Sequence, residues 1–281
     1  MNIFYGSSSS TAWSVSRIIS MLDKYLPEGM TRVHRIEEAG LVVLHVTGRN
    51  EHTTHYAQDL CAQGKQYAII QYSLKSTRNP DPRDWAQLWK RAKVVWSYYD
   101  LKEYMNNFYH APLGAGSDLF YQQDIEKKYL VGSIGNTYRA ECIGEVQIAA
   151  WKAKGRAVHI GETFSNPVVD YFINISDDEM RVIMNRCKYF SALRRKEGFE
   201  MQAVEALLCG VRPIMFDTPN YRQWFDGLAE FIPESSVIET GAHIQAVLKR
   251  DPRPVTHEEI LEVRTRFDWE KSVKGFWERC L

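Results

Sequence analysis

The segment that decides the fold is YFSALRRKEGFEMQAVEALLCGVRPIMFD, residues 189–217. A β-prone run opens it, a glycine-containing turn follows, and an apolar helical pattern then leads through Gly210 and Pro213 into a second hydrophobic run. Glu197 and Glu205 lie eight residues apart around the predicted strand-to-helix junction. Free N–H groups at a helix start favour an anion such as a diphosphate, whereas carboxylates accept hydrogen bonds from hydroxyl groups. The segment therefore predicts a site for a ligand that carries both phosphate and hydroxyl groups.

An ordinary amphipathic helix, with its acids in solvent, is the alternative interpretation of the same pattern. Its inward-facing residues would be Ala203, Val204, Leu207 and Leu208. Two glutamates at this spacing, taken alone, favour this plain helix. The nearby Gly198, Gly210 and Pro213, together with the following strand, favour the ligand site instead.

This segment resembles the donor-site signature of retaining GT-B glycosyltransferases, above all those of family 4. That signature is E-G-F-G-x-x-x-x-E, followed by A-x-x-x-G-x-P and a hydrophobic strand. The matching positions are Glu197, Gly198, Phe199, Glu200, Glu205, Ala206, Gly210, Pro213 and residues 214–216. The resemblance implies that Glu197 contacts the donor sugar and Glu205 the ribose hydroxyls, with Gly198 and Phe199 in the donor loop. Glu200 stands where the family prefers glycine.

The usual phosphate contacts of that family are only partly present. Relatives carry G-R after the first strand of the C-terminal domain, followed five residues later by K. Here Ser133 follows Gly132, so the arginine is missing, and Tyr138 takes the lysine position with Arg139 beside it. Arg139 is therefore a candidate diphosphate ligand, and an exposed helix start is the alternative.

A second basic candidate is the run Arg194, Arg195 and Lys196, which directly precedes Glu197. Arg194 or Lys196 reaching the phosphates would compensate for the arginine that is missing at Ser133. Three adjacent basic residues are also typical of a solvated turn, which is the alternative.

Two further candidates lie at the ends of predicted strands in the first hundred residues. Gly6 and Ser7 open the serine-rich loop GSSSSTAWS, which in relatives approaches the donor phosphates or the acceptor; a flexible helix-capping loop is the alternative. His45 ends LVVLHV, where relatives often carry a histidine that faces the cleft; a buried structural histidine is the alternative. His52 and His55 share one helix face, but no third ligand lies nearby in sequence, so no metal site is predicted.

Two runs of alternating β-rich and helical segments predict an α/β protein with parallel βα units. Strands are expected at residues 2–5, 41–46, 67–71, 94–98, 129–134, 157–160 and 168–175. Capping boxes at Ser176 and Thr256 predict two helix starts. The resemblance implies the GT-B arrangement of two Rossmann-like domains facing across a cleft. The expected divisions are an acceptor domain 1–110, a linker 111–126, a nucleotide-sugar-binding domain 127–265 and a C-terminal helix 266–281 that packs back on the first domain.

The amino-acid composition argues against several classes of protein. Among 281 residues, 35 basic and 35 acidic side chains leave no net charge, so a nucleic-acid partner has no support from charge. Five scattered cysteines without C-x-x-C spacing argue against a disulfide framework or a zinc site and predict a cytoplasmic setting. We find neither a signal-peptide pattern nor an apolar stretch of about eighteen residues, which predicts neither secretion nor a membrane span. The G-x-G-x-x-G fingerprint with a following acid is also absent, which argues against a nicotinamide dehydrogenase.

Basic and aromatic residues are interleaved between positions 75 and 93. They are Lys75, Arg78, Arg83, Trp85, Trp89, Lys90, Arg91 and Lys93. Such a pattern can bind nucleic acid, but an ordinary amphipathic helix produces it more often.

The sequence thus predicts a retaining glycosyltransferase that moves a hexose from a UDP-, GDP- or ADP-sugar to a hydroxyl acceptor. The acceptor is a saccharide or, as in phage enzymes of this fold, a hydroxymethylated DNA base. The chain has no D-x-D motif, which GT-A enzymes use to bind metal, so metal independence without a cofactor is expected. Two alternatives remain: a non-catalytic nucleotide-sugar-binding or scaffolding protein, supported by Ser133 and Glu200, and a sugar-nucleotide epimerase of the same fold.

Overall fold

The computed structural model describes residues 1–7, 13–46, 50–74, 86–136, 138–161, 168–195 and 198–281. The strands are β1 (Asn2–Ser7), β2 (Thr31–Arg32), β3 (Leu41–Val46), β4 (Gln66–Gln71), β5 (Val95–Ser97), β6 (Phe108–His110), β7 (Tyr129–Ile134), β8 (Ala157–Ile160), β9 (Val169–Phe172), β10 (Cys187–Ser191), β11 (Arg212–Phe216) and β12 (Glu230–Ile232). The helices are α1 (Trp13–Lys24), α2 (Asn50–Ala62), α3 (Ala86–Lys90), α4 (Ile143–Lys152), α5 (Asp177–Asn185), α6 (Met201–Leu208), α7 (Pro219–Phe225), α8 (Val237–Leu248), α9 (His257–Arg266) and α10 (Trp269–Cys280).

The chain forms two compact units. The first comprises Met1–Leu113, Asp268–Leu281 and the short piece at Gly198 and Phe199. The second comprises the remaining described residues between Gly114 and Phe267. Each unit has its own parallel sheet, so the predicted α/β class with two parallel sheets is confirmed.

The first sheet has the order β2-β1-β3-β4-β5-β6 within the described residues, with every pair parallel. After β2 the chain crosses to the other side of β1, which makes the gap between β1 and β3 a topological switch point. Ligands of open parallel sheets gather beyond the carboxyl ends of the strands at such a point. Ser7 lies opposite His45 in register there, and Gly6 lies opposite Leu44.

The first unit also contains the C-terminal helix. Trp277 of α10 is fully buried, and its Nε1 donates to the backbone carbonyl of Leu22, 3.3 Å away. The ring of Phe276 lies 5.5 Å from that of Trp96 in β5. These contacts tie the last helix of the chain to the α1 and β5 parts of the same unit.

Trp89, in the basic and aromatic stretch, is a core residue of the first unit. It is 1% exposed, and its Nε1 donates to Oε1 of Gln71 over 3.0 Å. Residues 75–85 of that stretch lie outside the described residues. A buried indole cannot stack on a base, so Trp89 supports the helix interpretation over nucleic-acid binding.

The second sheet has the order β12-β11-β10-β7-β8-β9 within the described residues, again with every pair parallel. This is a doubly wound sheet, because the chain moves outward from β7 through β8 to β9 and then returns to β10 on the opposite side. Its switch point is the gap between β7 and β10, so the segment after β10 opens at the place where such sheets bind ligands.

Two predicted capping boxes are confirmed, at Ser176 with Glu179 and at Thr256 with Glu259. Glu259 also pairs with Arg212, which is 1% exposed, over 2.9 Å. Desolvation opposes ionisation of this carboxyl, but hydrogen bonds from Arg212, the Thr256 backbone and Arg253 outweigh it and lower the pKa of Glu259 to about 2. This ion pair fixes α9 against β11.

Candidate functional site

The candidate site of the second unit lies where β7 and β10 end. β7 ends at Ile134 and passes into Gly135, which has φ of 142°, while β10 ends at Ser191 and leads into Arg194 and Arg195. Ser191 pairs with Ser133 in register, so the two strand ends are neighbours. The loops at this switch point therefore carry most of the charged side chains that the sequence suggests for phosphate binding.

Arg194 reaches from the β10 loop across to the end of β7. Its Nη2 donates to the backbone carbonyl of Ile134 over 3.1 Å. Nη1 lies 2.6 Å from Oε1 of Glu141, and Nε lies 3.3 Å from Oε1 of Glu200. With 11% of its side chain exposed, Arg194 lies at the switch point and not in a solvated turn.

Arg195 has a structural role beside it. Its guanidinium donates to the carbonyl of Ser235 over 3.1 Å and to the Glu145 carboxylate over 3.2 Å, and it lies over the ring of Phe216. Because α4 carries Glu145 and Ser235 lies two residues before the start of α8, Arg195 connects these two helices. The solvated-turn interpretation is therefore wrong for both arginines.

Ser133, at the position where the sequence resemblance leads us to expect an arginine, is held by a histidine of the neighbouring strand. Its Oγ lies 2.9 Å from Nδ1 of His159, whose Nε2 lies 3.0 Å from the carbonyl of Gly135. Burial, aided by the charge of Arg194, lowers the pKa of His159, although its bond to Gly135 opposes this shift. The neutral ring therefore accepts from Ser133 and donates to Gly135, which fixes the turn after β7.

Glu205 is buried, although a plain amphipathic helix would expose it. It lies on α6 between buried apolar neighbours and is 1% exposed. One turn later, burial and the Glu205 charge raise the pKa of the Cys209 thiol to about 12. With 1% of Glu205 exposed, the interpretation that it faces solvent is wrong. A carboxylate lies in a core only when a partner offsets the cost of its desolvation.

Gly198 and Phe199, of the predicted donor loop, pack in the first unit. A Cβ on Gly198 would lie 2.3 Å from the Tyr99 ring, so any larger residue would displace that ring. Phe199 is 3% exposed, and its ring lies 5.5 Å from that of Tyr98. Glu197 and Lys196, the other two predicted residues of this loop, lie outside the described residues.

His45 lies at the switch point of the first sheet. Its Nδ1 is 2.6 Å from the hydroxyl of Tyr72, whose ring stacks on the imidazole. Burial lowers the pKa of His45 to about 4, so the ring is neutral at pH 7. The tautomer of the ring decides whether Nδ1 accepts from the Tyr72 hydroxyl or donates to it, and Nε2 is a buried atom with no hydrogen-bond partner among the described residues.

The remaining candidates are placed as follows. Arg139 is exposed in the turn before α4. The adjacent Tyr138 covers the first turn of that helix, where a Cβ on Gly144 would lie 1.9 Å from its hydroxyl. His55 is exposed, and the side chain of His52 lies outside the described part. Among the described residues no group of three or more His, Cys, Asp or Glu side chains could hold a metal ion.

Sequence reasoning missed four residues of these two sites. They are Glu141, His159, Tyr72 and Tyr99. Each is defined by a contact with a residue on another segment of the chain. A single sequence carries no signal for such contacts.

Comparison with known proteins supports the fold through structure alone. No protein-family model matches the chain, and the search of curated proteins gave no match. Sucrose-phosphate synthase from Thermosynechococcus elongatus superposes with a TM-score of 0.71 at 14% identity, over 99% of this chain and 98% of that chain. Anabaena HepE in complex with UDP and glucose gives 0.73 at 10% identity, over 99% and 98%.

A third similar structure is α,α-trehalose 6-phosphate synthase from Burkholderia multivorans. It superposes with a TM-score of 0.64 at 12% identity, over 85% of this chain and 69% of that chain. Together with the two parallel sheets, these likenesses establish the α/β fold of the GT-B glycosyltransferases. Among the described residues, no helix has both the length and the apolar character needed to cross a membrane.

Proposed function

We propose that this chain is a retaining glycosyltransferase that transfers a hexose from a nucleotide diphosphate sugar to a hydroxyl acceptor. The observation that carries the proposal is the position of the E-x7-E segment. Its second glutamate, Glu205, is buried on α6, the helix that follows β10 at the switch point of the doubly wound second sheet. A parallel sheet of this kind binds its ligand at that point, so the resemblance in sequence and the topology lead independently to one place.

Charge stabilisation of the leaving diphosphate falls to Arg194. Transfer builds negative charge on that group, and a positioned guanidinium offsets it without a metal. Arg194 reaches the end of β7, next to Ser133, where the family arginine is missing. It thereby supplies the positive charge from the neighbouring strand, and Lys196 and Arg139 are further candidates.

Glu205 binds the ribose hydroxyls and Glu197 positions the donor sugar in this proposal. A carboxylate accepts strong hydrogen bonds from hydroxyl donors, which suits both roles. Retention by front-face attack needs no protein nucleophile, so the enzyme contributes position and charge. His45, neutral and with Nε2 as a donor, supplies a hydrogen bond to a hydroxyl at the first switch point, where Ser7 lies opposite His45 and Gly6 lies opposite Leu44.

The acceptor that we favour is a saccharide. The chain has no net charge, and Trp89 of the basic and aromatic stretch is in the core, and both observations weigh against a DNA acceptor. UDP is the first donor nucleotide to test, because HepE, a similar structure, was obtained with it. The fold does not distinguish UDP from GDP or ADP.

A thermal-shift panel of UDP, GDP, ADP and their sugars tests nucleotide binding. A ligand present at 100 times its dissociation constant stabilises the folded state by about 2.7 kcal/mol, which is readily measured. We expect one nucleotide family to raise the melting temperature and the others to leave it unchanged. The absence of any shift with all of them would contradict the proposal.

Glu197→Gln then separates sugar positioning from nucleotide binding. We expect the affinity for the free nucleoside diphosphate to stay nearly constant, because that ligand has no sugar to contact. Turnover with the full donor should fall by about a hundredfold, since small misplacements of the reacting carbon have this effect. A variant that retains full transfer activity would exclude the role of Glu197.

A further inference from the structure

Glu141 lies at the place where an anion would meet Arg194. Its Oε1 is 2.6 Å from Nη1 of Arg194, and 17% of its side chain is exposed. It belongs to the turn between β7 and α4, which borders the switch point of the second sheet. Nothing in the sequence pattern gives this glutamate a role.

The glycine beneath that carboxylate defines the space it occupies. Gly135 has φ of 142°, which side-chain-bearing residues rarely adopt, and a Cβ there would lie 2.0 Å from Oε2 of Glu141. The carboxylate thus lies directly against the backbone at the end of β7. Glycine at the end of a strand allows a phosphate to approach the backbone closely. The space between Gly135 and Arg194 therefore has the lining of an anion site, and Glu141 fills it.

The charges around Arg194 decide whether a diphosphate can bind there while Glu141 is in place. Arg194 lies within ion-pair distance of two carboxylates, Glu141 and Glu200. A diphosphate approaching all three groups together would meet one positive and two negative charges. It binds Arg194 favourably only when one carboxylate leaves. Glu200 is 2% exposed and occupies the N-cap position of α6, whereas Glu141 is in a turn and more exposed, so Glu141 is the group that can move.

We propose that Glu141 is a displaceable carboxylate that occupies the diphosphate position on Arg194 when the donor is absent. This inference rests on the proposed function. Each binding event exchanges the Glu141 carboxylate for a phosphate, so the site binds the nucleotide less tightly than Arg194 alone would allow. The same exchange expels the product diphosphate after transfer, because Glu141 competes for its place.

Glu141→Gln tests this exchange by calorimetry, with inorganic pyrophosphate and UDP as probes. The substitution keeps the shape of the side chain and removes the competing charge, so we expect both probes to bind about tenfold more tightly. Glu234→Gln is the matched control. Glu234 lies 3.6 Å from the neighbouring Arg195, whose role is structural, and its loss should leave both affinities unchanged. Arg194→Gln should weaken both probes.

Equal or weaker binding of pyrophosphate to folded Glu141→Gln would overturn the inference. Glu141→Ala is the second variant, because a glutamine amide can still contact Arg194, and it must show the same gain. Tighter pyrophosphate binding without any binding of UDP, GDP or ADP would support the inference and contradict the proposed function. If UDP binds but neither Glu141→Gln nor Glu141→Ala increases the affinity of either probe, the proposed function is supported and the inference is contradicted.

Discussion

Acid should destabilise the first unit through His45, and His45→Gln should remove that effect. Burial lowers the pKa of His45 to about 4 in the folded protein, against 6.5 in the unfolded chain. Between these values the unfolded chain binds more protons than the folded protein. The contribution of His45 to stability is therefore fully present above pH 6.5 and is lost as the pH falls through about 4.

The magnitude follows from the two pKa values. At 1.36 kcal/mol per pKa unit, their difference corresponds to about 3 kcal/mol in total. About 2.5 kcal/mol of this is lost between pH 7.5 and pH 4.5, because protonation of the folded state limits the rest. That loss is a large part of the stability of an ordinary domain, which is about 5–15 kcal/mol.

The assay is urea unfolding of the parent protein and His45→Gln at pH 7.5, 6.5, 5.5 and 4.5. Tryptophan fluorescence is weighted towards the first unit, where Trp89, Trp96, Trp269 and Trp277 are buried, although Trp151 and Trp224 of the second unit also contribute. Subtracting the variant from the parent at each pH cancels the other titrating groups. We expect the difference to change by about 2.5 kcal/mol across the series. If the difference in the free energy of unfolding between the parent and His45→Gln stays constant with pH, the assignment of a buried neutral histidine is refuted.

Three further predictions follow from other contacts. Gly198→Ala should destabilise the first unit by about 1–3 kcal/mol, because its Cβ would lie 2.3 Å from the Tyr99 ring. Thermal unfolding measures this, and the double variant with Tyr99→Ala should lose less than the sum of the two single losses. Glu259→Gln should destabilise the second unit by about 3 kcal/mol, because it leaves Arg212 buried without its charge partner. Glu262→Gln is the control, because it breaks an exposed ion pair with Arg266 on the same helix and should lower the free energy of unfolding by less than about 1 kcal/mol. If urea unfolding shows the same loss for Glu259→Gln and Glu262→Gln, the assignment of a buried ion pair to Glu259 and Arg212 is wrong. Excess chelator should leave transfer activity intact, and loss that manganese restores would exclude the metal-independent reaction.

The sequence predicted the strands with long apolar runs best. β3, β7 and β8 have the predicted bounds, because buried parallel strands are continuous apolar runs. β2 and β6 were not predicted, since two or three residues such as Thr31–Arg32 carry no periodic signal. Their pairing is set by the neighbouring strand and not by their own residues.

The candidate site was predictable only as far as local pattern reaches. Spacing around a strand end placed Glu205 on α6 after β10, and topology places that segment at the switch point. The contacts of Arg194 with Glu141 and of Ser133 with His159 could not be read from sequence, because each joins residues of different segments. Burial of Glu205 was missed for a similar reason: periodicity shows which positions are apolar but not which polar groups the fold covers.

Glu205→Ala tests the central claim most directly, through the calorimetric affinity of the nucleoside diphosphate that the thermal-shift panel identifies. The claim is that the helix after β10 binds the ribose of a nucleotide sugar. Losing a hydrogen bond to a charged group costs about 1.5–3 kcal/mol, so affinity should fall by about 10- to 150-fold. Inorganic pyrophosphate, which has no ribose, should bind parent and variant equally. Equal affinity of the nucleoside diphosphate for both proteins, with the variant folded, would contradict the account.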